Sequence, residues 1–157
     1  LPHWASFRGE FSESKTWIDL GHRLVVPTFD SRGIWRGLRA LRIVQADDGV
    51  PKRLPPSGKR SAGLLLANEA AVRMLRGEEI PNRLVVTEGE PDWLTWSVQT
   101  DLPVIGVLSG SWTDEVAARV PADCDVVLRT HHDDAGDRYA SVIADSLKKR
   151  CRVWKAA

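Results

Sequence analysis

Between residues 83 and 155 the chain repeats one pattern: a short apolar run, a turn, then a segment with helical spacing. The apolar runs are residues 84–86, 104–108 and 126–128, residues 152–154 read as a last strand, and the segments between them are 91–98, 113–119 and 135–149. Runs this short and this continuously apolar suit strands buried on both faces. A helix between each successive pair supplies the long crossover that parallel pairing requires. The pattern therefore predicts an α/β fold, a mostly parallel sheet with helices on both faces. Pro91 suits a first helical turn and Thr113 an N-cap.

Two of these strands end in acidic, glycine-containing turns. RLVVTEGEPD delivers Glu88, Gly89 and Asp92, and DVVLRT runs into HHDDAGD, with His131, Asp133, Asp134 and Asp137. Open α/β sheets bind ligands at the carboxyl ends of their strands. Two such ends bearing carboxylates suggest a divalent-metal and phosphate site. Asp92 and Asp137 also suit helix starts, where a carboxylate complements the helix dipole. His131 and His132 look like a metal pair, but adjacent residues at a strand end point to opposite sides.

The residues before 83 have a different character. Residues 1–22 read as an irregular lead-in that packs Trp4, Phe7, Phe11 and Trp17 on the body. Residues 22–29 and 34–44 read as two strands joined by the turn at 30–33, a hairpin. Residues 45–59 form a loop rich in proline, glycine and charge, and residues 68–76 a helix capped by Asn68. Net charge is only +1, yet Lys and Arg are dense from Arg32 to Arg60 while Asp and Glu gather at the two turns. A basic platform with an acidic pocket suits an enzyme that works on phosphates. Trp93, Trp96 and Trp112 fit helices that cover the sheet, whereas Trp35, beside Arg32 and Arg36, is a candidate for stacking on a base. Cys124 and Cys151 have no zinc spacing and read as buried reduced thiols. No signal peptide or membrane-length apolar run is present, which gives a cytoplasmic expectation and no membrane partner. A first residue of Leu1 rather than methionine points to a piece of a longer protein.

From residue 83 onward the chain resembles a Toprim domain, the catalytic module of bacterial and phage-type primases, topoisomerases and some nucleases. A strand followed by Glu-Gly-x-x-Asp is met by Glu88, Gly89 and Asp92. Asp-x-Asp followed by Ala-Gly is met by Asp133, Ala135 and Gly136, and GVLSGSWT resembles the family's turn after its second strand. Residues 23–60 resemble the basic subdomain that precedes Toprim in primases, through RLVVP, DSRG, WRGLRALR and GVPKRL. The resemblance implies a basic primase-like subdomain over 1–82 and a Toprim domain over 83–157. It implies metal-dependent synthesis of short RNA primers on single-stranded DNA, in a primase of a phage, plasmid or integrated element. Ribonucleoside triphosphates would be the substrates and a replicative helicase a partner. Glu88 and Asp133 would be catalytic and hold Mg²⁺ or Mn²⁺, with Asp92, Asp134 and His131 as further metal candidates. Arg39, Arg42, Lys52, Lys59, Arg60 and Trp35 would contact nucleic acid or nucleotide.

One position departs from the motif: the first Asp of Asp-x-Asp is His131. Magnesium prefers hard oxygen ligands, whereas manganese tolerates nitrogen. Substitution by Asp134, a Mn²⁺-preferring site and a weakened site all remain open. Two other functions share these residues, a Toprim nuclease and a degenerate Toprim that only binds nucleic acid or a protein partner.

Overall fold

The computed structural model describes residues 5–8, 14–44, 49–59, 61–108 and 110–156. In chain order the elements are β1 (Ser6–Arg8), β2 (Ser14–Thr16), β3 (His22–Phe29), β4 (Trp35–Arg42), β5 (Arg53–Leu54) and β6 (Leu66–Ala67). There follow α1 (Glu69–Arg76), β7 (Arg83–Glu88), α2 (Gly89–Gln99), β8 (Val104–Val107), α3 (Asp114–Arg119), β9 (Asp125–Arg129), α4 (Asp134–Leu147) and β10 (Arg152–Lys155). They fall into two compact units, residues 1–28 with 36–61, and residues 29–35 with 62–157.

The second unit is built on a five-stranded sheet in the order β10-β9-β7-β8-β6. The pairs β10–β9, β9–β7 and β7–β8 are parallel, as the strand–helix alternation requires, and β6 closes one edge antiparallel to β8. Alternate residues of each strand take opposite faces. Leu84, Val86, Ile105, Val107, Val126 and Leu128 share one buried cluster with Met74 and Leu75 of α1, Val116 of α3, and Ile143 and Leu147 of α4. The opposite face carries α2. Its Trp93 lies so close over Gly106 that a side chain there would meet the tryptophan Cβ at 2.9 Å, and its indole N–H reaches the Val104 carbonyl at 3.3 Å. Both faces therefore carry helices, as the apolar runs predict, α2 covering the second face over β7 and β8.

Asn68 joins two of these layers. Its Oδ1 accepts the Ala71 N–H, capping α1, and also the Val104 N–H at the start of β8, each at 3.0 Å. Its Nδ2 donates to the Leu102 carbonyl at 2.9 Å. One side chain thus closes a helix start and fixes where the neighbouring strand begins.

The first unit contains a two-stranded antiparallel sheet, β1–β2, and a three-stranded sheet in the order β3-β4-β5. Its small core gathers Ala5, Trp17, Leu20, Ala40 and Leu54. Several expectations are corrected here. Residues 6–8 and 14–16 pair as strands instead of forming an irregular lead-in, because Trp17 folds back so that its N–H bonds the Ala5 carbonyl. Trp17 is buried as expected, whereas Trp4 and Phe11 lie outside the described residues. The charged loop after β4 contains β5, whose two residues pair with Ala40 and Leu41. The division at residue 82 shifts too: β6 and α1 belong with the sheet unit, because β6 hydrogen-bonds to β8 and α1 buries Ala71, Met74 and Leu75 in the sheet's core.

Both cysteines are free, Cys124 buried and Cys151 half-buried. Burial pushes the Cys124 thiol from 9.0 up to about 11, with the nearby Cys151 adding to the effect, and burial raises Cys151 as well. A raised thiol stays protonated, so little nucleophilic thiolate exists near pH 8. Alkylation of Cys124 by iodoacetamide at that pH should be on the order of 100-fold slower in the native protein than in urea, read by mass spectrometry. Asn68→Ala should cost about 2 to 3 kcal/mol in urea unfolding, since it removes a cap and strands the Val104 N–H. Asn68→Asp, which keeps the acceptor, should cost about half as much.

Candidate active site

Parallel register between β7 and β9 pairs Arg83 with Asp125 and continues to Thr87 with Arg129. The residues that follow, Glu88 on one strand and Thr130 and His131 on the other, therefore emerge side by side at the carboxyl end of the sheet. Gly89, at φ +77°, turns the chain from Glu88 straight into α2, a left-handed step that a side chain would strain. Asp92 follows in the first turn of that helix.

His131 sits between the two carboxylates of the first motif. Its backbone N–H donates to Glu88 Oε2 at 3.2 Å, and its ring approaches the same oxygen through Nδ1 at 4.0 Å. The other ring nitrogen, Nε2, lies 3.3 Å from Asp92 Oδ2. The Glu88 side chain is only 17% exposed, whereas that of His131 is 57% exposed, so the glutamate forms the floor and the imidazole the rim. His132 is exposed and takes no part in these contacts.

Asp133 is the N-cap of α4, its Oδ1 accepting the Gly136 N–H at 2.8 Å. The glycine is required by close approach, since a Cβ at Gly136 would stand 2.1 Å from the His131 carbonyl oxygen. The Ala-Gly of the second motif thus lets residues 131–133 fold back on the helix start and holds Asp133 in place. Asp134 is exposed in the first turn. Asp137 faces away to Lys155 Nζ, whose hydrogen bond and charge hold its carboxyl below the ordinary carboxylate range. That is an ion pair added to a favourable helix-dipole position.

A divalent metal is implied by the Toprim resemblance, and the donors fit one in kind. Glu88 Oε1 and Asp133 Oδ2 accept no hydrogen bond among the described residues, so each carboxylate retains an oxygen beyond its structural bond. Two carboxylates and an imidazole make a mixed oxygen–nitrogen set, better suited to Mn²⁺ than to Mg²⁺. They are not gathered: among the described residues no three His, Cys, Asp or Glu side chains converge as a metal group.

Two features beside the site escape the sequence reading. Glu90, between Glu88 and Asp92, is 2% exposed, a buried carboxylate at the amino end of α2. Arg129, the last residue of β9, lays its guanidinium over the Trp96 ring at 4.6 Å, so Trp96 is engaged in a cation–π contact and is only half-buried, unlike Trp93 and Trp112. Neither had a spacing signal, since both depend on which strand lies under α2.

The basic candidates of the first unit fall into two sets. Arg42 and Lys52 lie across from each other on β4 and the stretch leading into β5, with the Arg42 N–H bonded to the Lys52 carbonyl at 2.9 Å. Arg42 also donates to the Val50 carbonyl. Arg39, three residues earlier on the strand, takes the opposite face together with Arg53, the register partner of Leu41. Arg53 was missed because nothing in the charged loop marked it as a strand. Lys59 is exposed, Arg60 lies outside the described residues, and Trp35, in the hairpin segment, is 61% exposed.

No family model matches the chain, and no curated protein matches its sequence. Solved structures do match. The Escherichia coli primase catalytic core superposes over 99% of this chain with a TM-score of 0.63 at 18% identity. Its fold is that of a primase catalytic core. A DnaG primase catalytic domain bound to single-stranded DNA aligns over 99% of the chain with a TM-score of 0.64 at 18% identity. The zinc-binding and RNA polymerase domains of Aquifex aeolicus primase align over 98% with a TM-score of 0.59 at 21% identity. The chain spans 50%, 51% and 38% of those three structures, about half their length or less. The mostly parallel, Toprim-like sheet with flanking helices, expected from the strand–helix alternation and the motif resemblance, is thus the observed fold.

Gly136→Ala should lower stability by about 2 kcal/mol or more, because the backbone it would strike cannot yield as a side-chain tip does. Asp133→Ala should cost about 1 kcal/mol, the loss of a cap alone. Thermal unfolding of the two variants side by side checks the order.

Proposed function

We infer that the chain is the core of a primase-type nucleotidyltransferase, which holds single-stranded DNA and ribonucleoside triphosphates and joins the nucleotides into short RNA primers. The observation that carries this reading is the likeness to primase cores over 98% or 99% of the chain, basic unit and carboxylate-bearing unit alike. A phage, plasmid or integrated-element setting and a replicative helicase as partner belong to the same proposal.

In this reading Arg42 and Lys52, on one face of the first unit, hold phosphate, and Arg39 and Arg53 offer a second cationic face. Glu88 stands at the reacting end of the sheet, shielded enough that its charge is felt strongly and open enough to receive a proton from an attacking hydroxyl. Asp133 is oriented by its cap and Gly136. A divalent ion held by Glu88, Asp133 and His131, with Asp92 and Asp134 beside them, would neutralise phosphate charge and acidify the hydroxyl. Arg129 and Trp96 support the helix that carries Asp92.

Primer synthesis on single-stranded DNA with labelled ribonucleotides, run in Mn²⁺ and in Mg²⁺, tests the reading. Short RNA should form, more of it in Mn²⁺, and Glu88→Gln should lower the rate by about 100-fold or more. Cleavage of DNA without any nucleotide would move the function to a nuclease. A protein that binds DNA but makes RNA only as His131→Asp would be a binding module with a displaced metal ligand.

A further inference from the structure

The edge strand β10 carries a surface that the carboxylate site does not use. Along it, Val153 turns into the sheet's buried cluster, so Arg152 and Trp154 share the opposite face. Trp154 is 58% exposed and the Arg152 side chain 71% exposed. In this face α2 lies over β7 and β8, with Trp93 against Gly106. The corner over β9 and β10 keeps Val127, the register partner of Trp154, only half-buried. A large aromatic ring is therefore presented on a rigid strand, one pleat from a guanidinium.

The ground beside it is cationic. The run into β10 reads Lys148, Lys149, Arg150, Cys151, Arg152, and with Asp123 it lines a groove of about 430 Å³. A second groove of about 300 Å³ continues past Arg152 and Asp123 to Arg83 and Asp125. Asp125 is approached by two guanidiniums at once, Arg152 at 2.8 Å and Arg83 at 3.7 Å, so one carboxylate offsets only part of their charge. Lys148 pairs with Asp145, and Arg150 is held by the carbonyls of Ala117 and Val120. Counting Arg83, Lys148, Lys149, Arg150 and Arg152 against Asp123, Asp125 and Asp145 leaves two positive charges in excess.

We propose that this corner binds single-stranded nucleic acid, a base stacking on Trp154 and the backbone phosphates tracking along Arg152 and Lys149. Cations in a groove beside an exposed ring are what a flexible strand recognises without regard to sequence. A plain anion site would not need the ring, and an apolar protein partner would not favour the surrounding charge. Arg152 pairs with Asp125 at the amino end of β9 and Trp154 with Val127 at its middle, whereas Glu88 ends β7 and His131 follows the carboxyl end of β9. The ring and its cations belong to residues apart from the carboxylate site, so binding here does not depend on primer synthesis.

The test combines a position and an affinity. Oligo-dT containing 5-iododeoxyuridine, irradiated with the chain, should crosslink to the peptide containing Trp154. By fluorescence anisotropy at low salt, Trp154→Ala should weaken binding about fivefold or more, with Trp154→Phe retaining most of it. Arg152→Ala should weaken binding and reduce the slope of log affinity against log salt by about one. Because both side chains are more than half exposed, these variants keep their core, which circular dichroism checks. Crosslinks confined to other segments together with unchanged affinity in Trp154→Ala would overturn the proposal. So would a dimer in sedimentation velocity that Trp154→Ala dissociates, since the corner would then be covered by a second copy.

Discussion

Five residues of β7 pair with five of β9, parallel and in register, and nearly everything of functional interest follows from where that ladder stops. Parallel pairing puts both carboxyl ends on the same side of the sheet, so two turns separated by some forty residues in sequence open onto one surface. Antiparallel pairing of the same strands would send Glu88 and Asp133 to opposite ends of the unit. The buried apolar residues that make β7 and β9 central strands therefore fix the chemistry as well as the fold: Leu84, Val86, Val126 and Leu128 hold the register that brings His131 to Glu88. A slip of one residue would turn each of these side chains to the wrong face.

Carboxylates placed near the same end of a sheet repel one another, and this chain offsets that repulsion with several small devices. Glu88 receives a backbone N–H, Asp133 caps a helix, Asp92 faces an imidazole and Asp137 faces a lysine. Each of these four carboxylates has a partner that the protein itself supplies. The result is a surface on which the acidic groups hold their positions by structural bonds while leaving oxygens open toward solvent.

Much of this was legible in the residues. The alternation after Arg83 gave the sheet and its helices, because period and length are set by burial. The Glu88 and Asp133 turns stood out because both acidic, glycine-containing turns follow strands and match the Toprim motifs in order and spacing. What the sequence did not display were features created by pairing partners. The strand β6 is two residues long, too short for any period, and is a strand only because β8 lies beside it. β1 and β2, at three residues each, are little longer. The seat of His131 between Glu88 and Asp92 joins residues from two elements, and no spacing rule links them. Arg53, Glu90 and the Trp96–Arg129 contact were hidden for the same reason. Capping by Asn68 was foreseen, whereas its second bond to β8 could not be.

The two compact units are interleaved along the chain: residues 29–35, the tip between β3 and β4, count with the sheet, while residues 36–61 return to the first unit. Three crossings of the chain separate the units rather than one. No single nick separates the two as intact pieces: a cut at 28 or 35 divides the first unit, and a cut at 35 or 61 divides the second. The ribosome, too, must reach at least Leu65 before Phe29 can make its two backbone bonds to that residue. An insertion or exchange made at any one boundary would likewise interrupt at least one of the units, so the two must be handled as one piece in any truncation experiment.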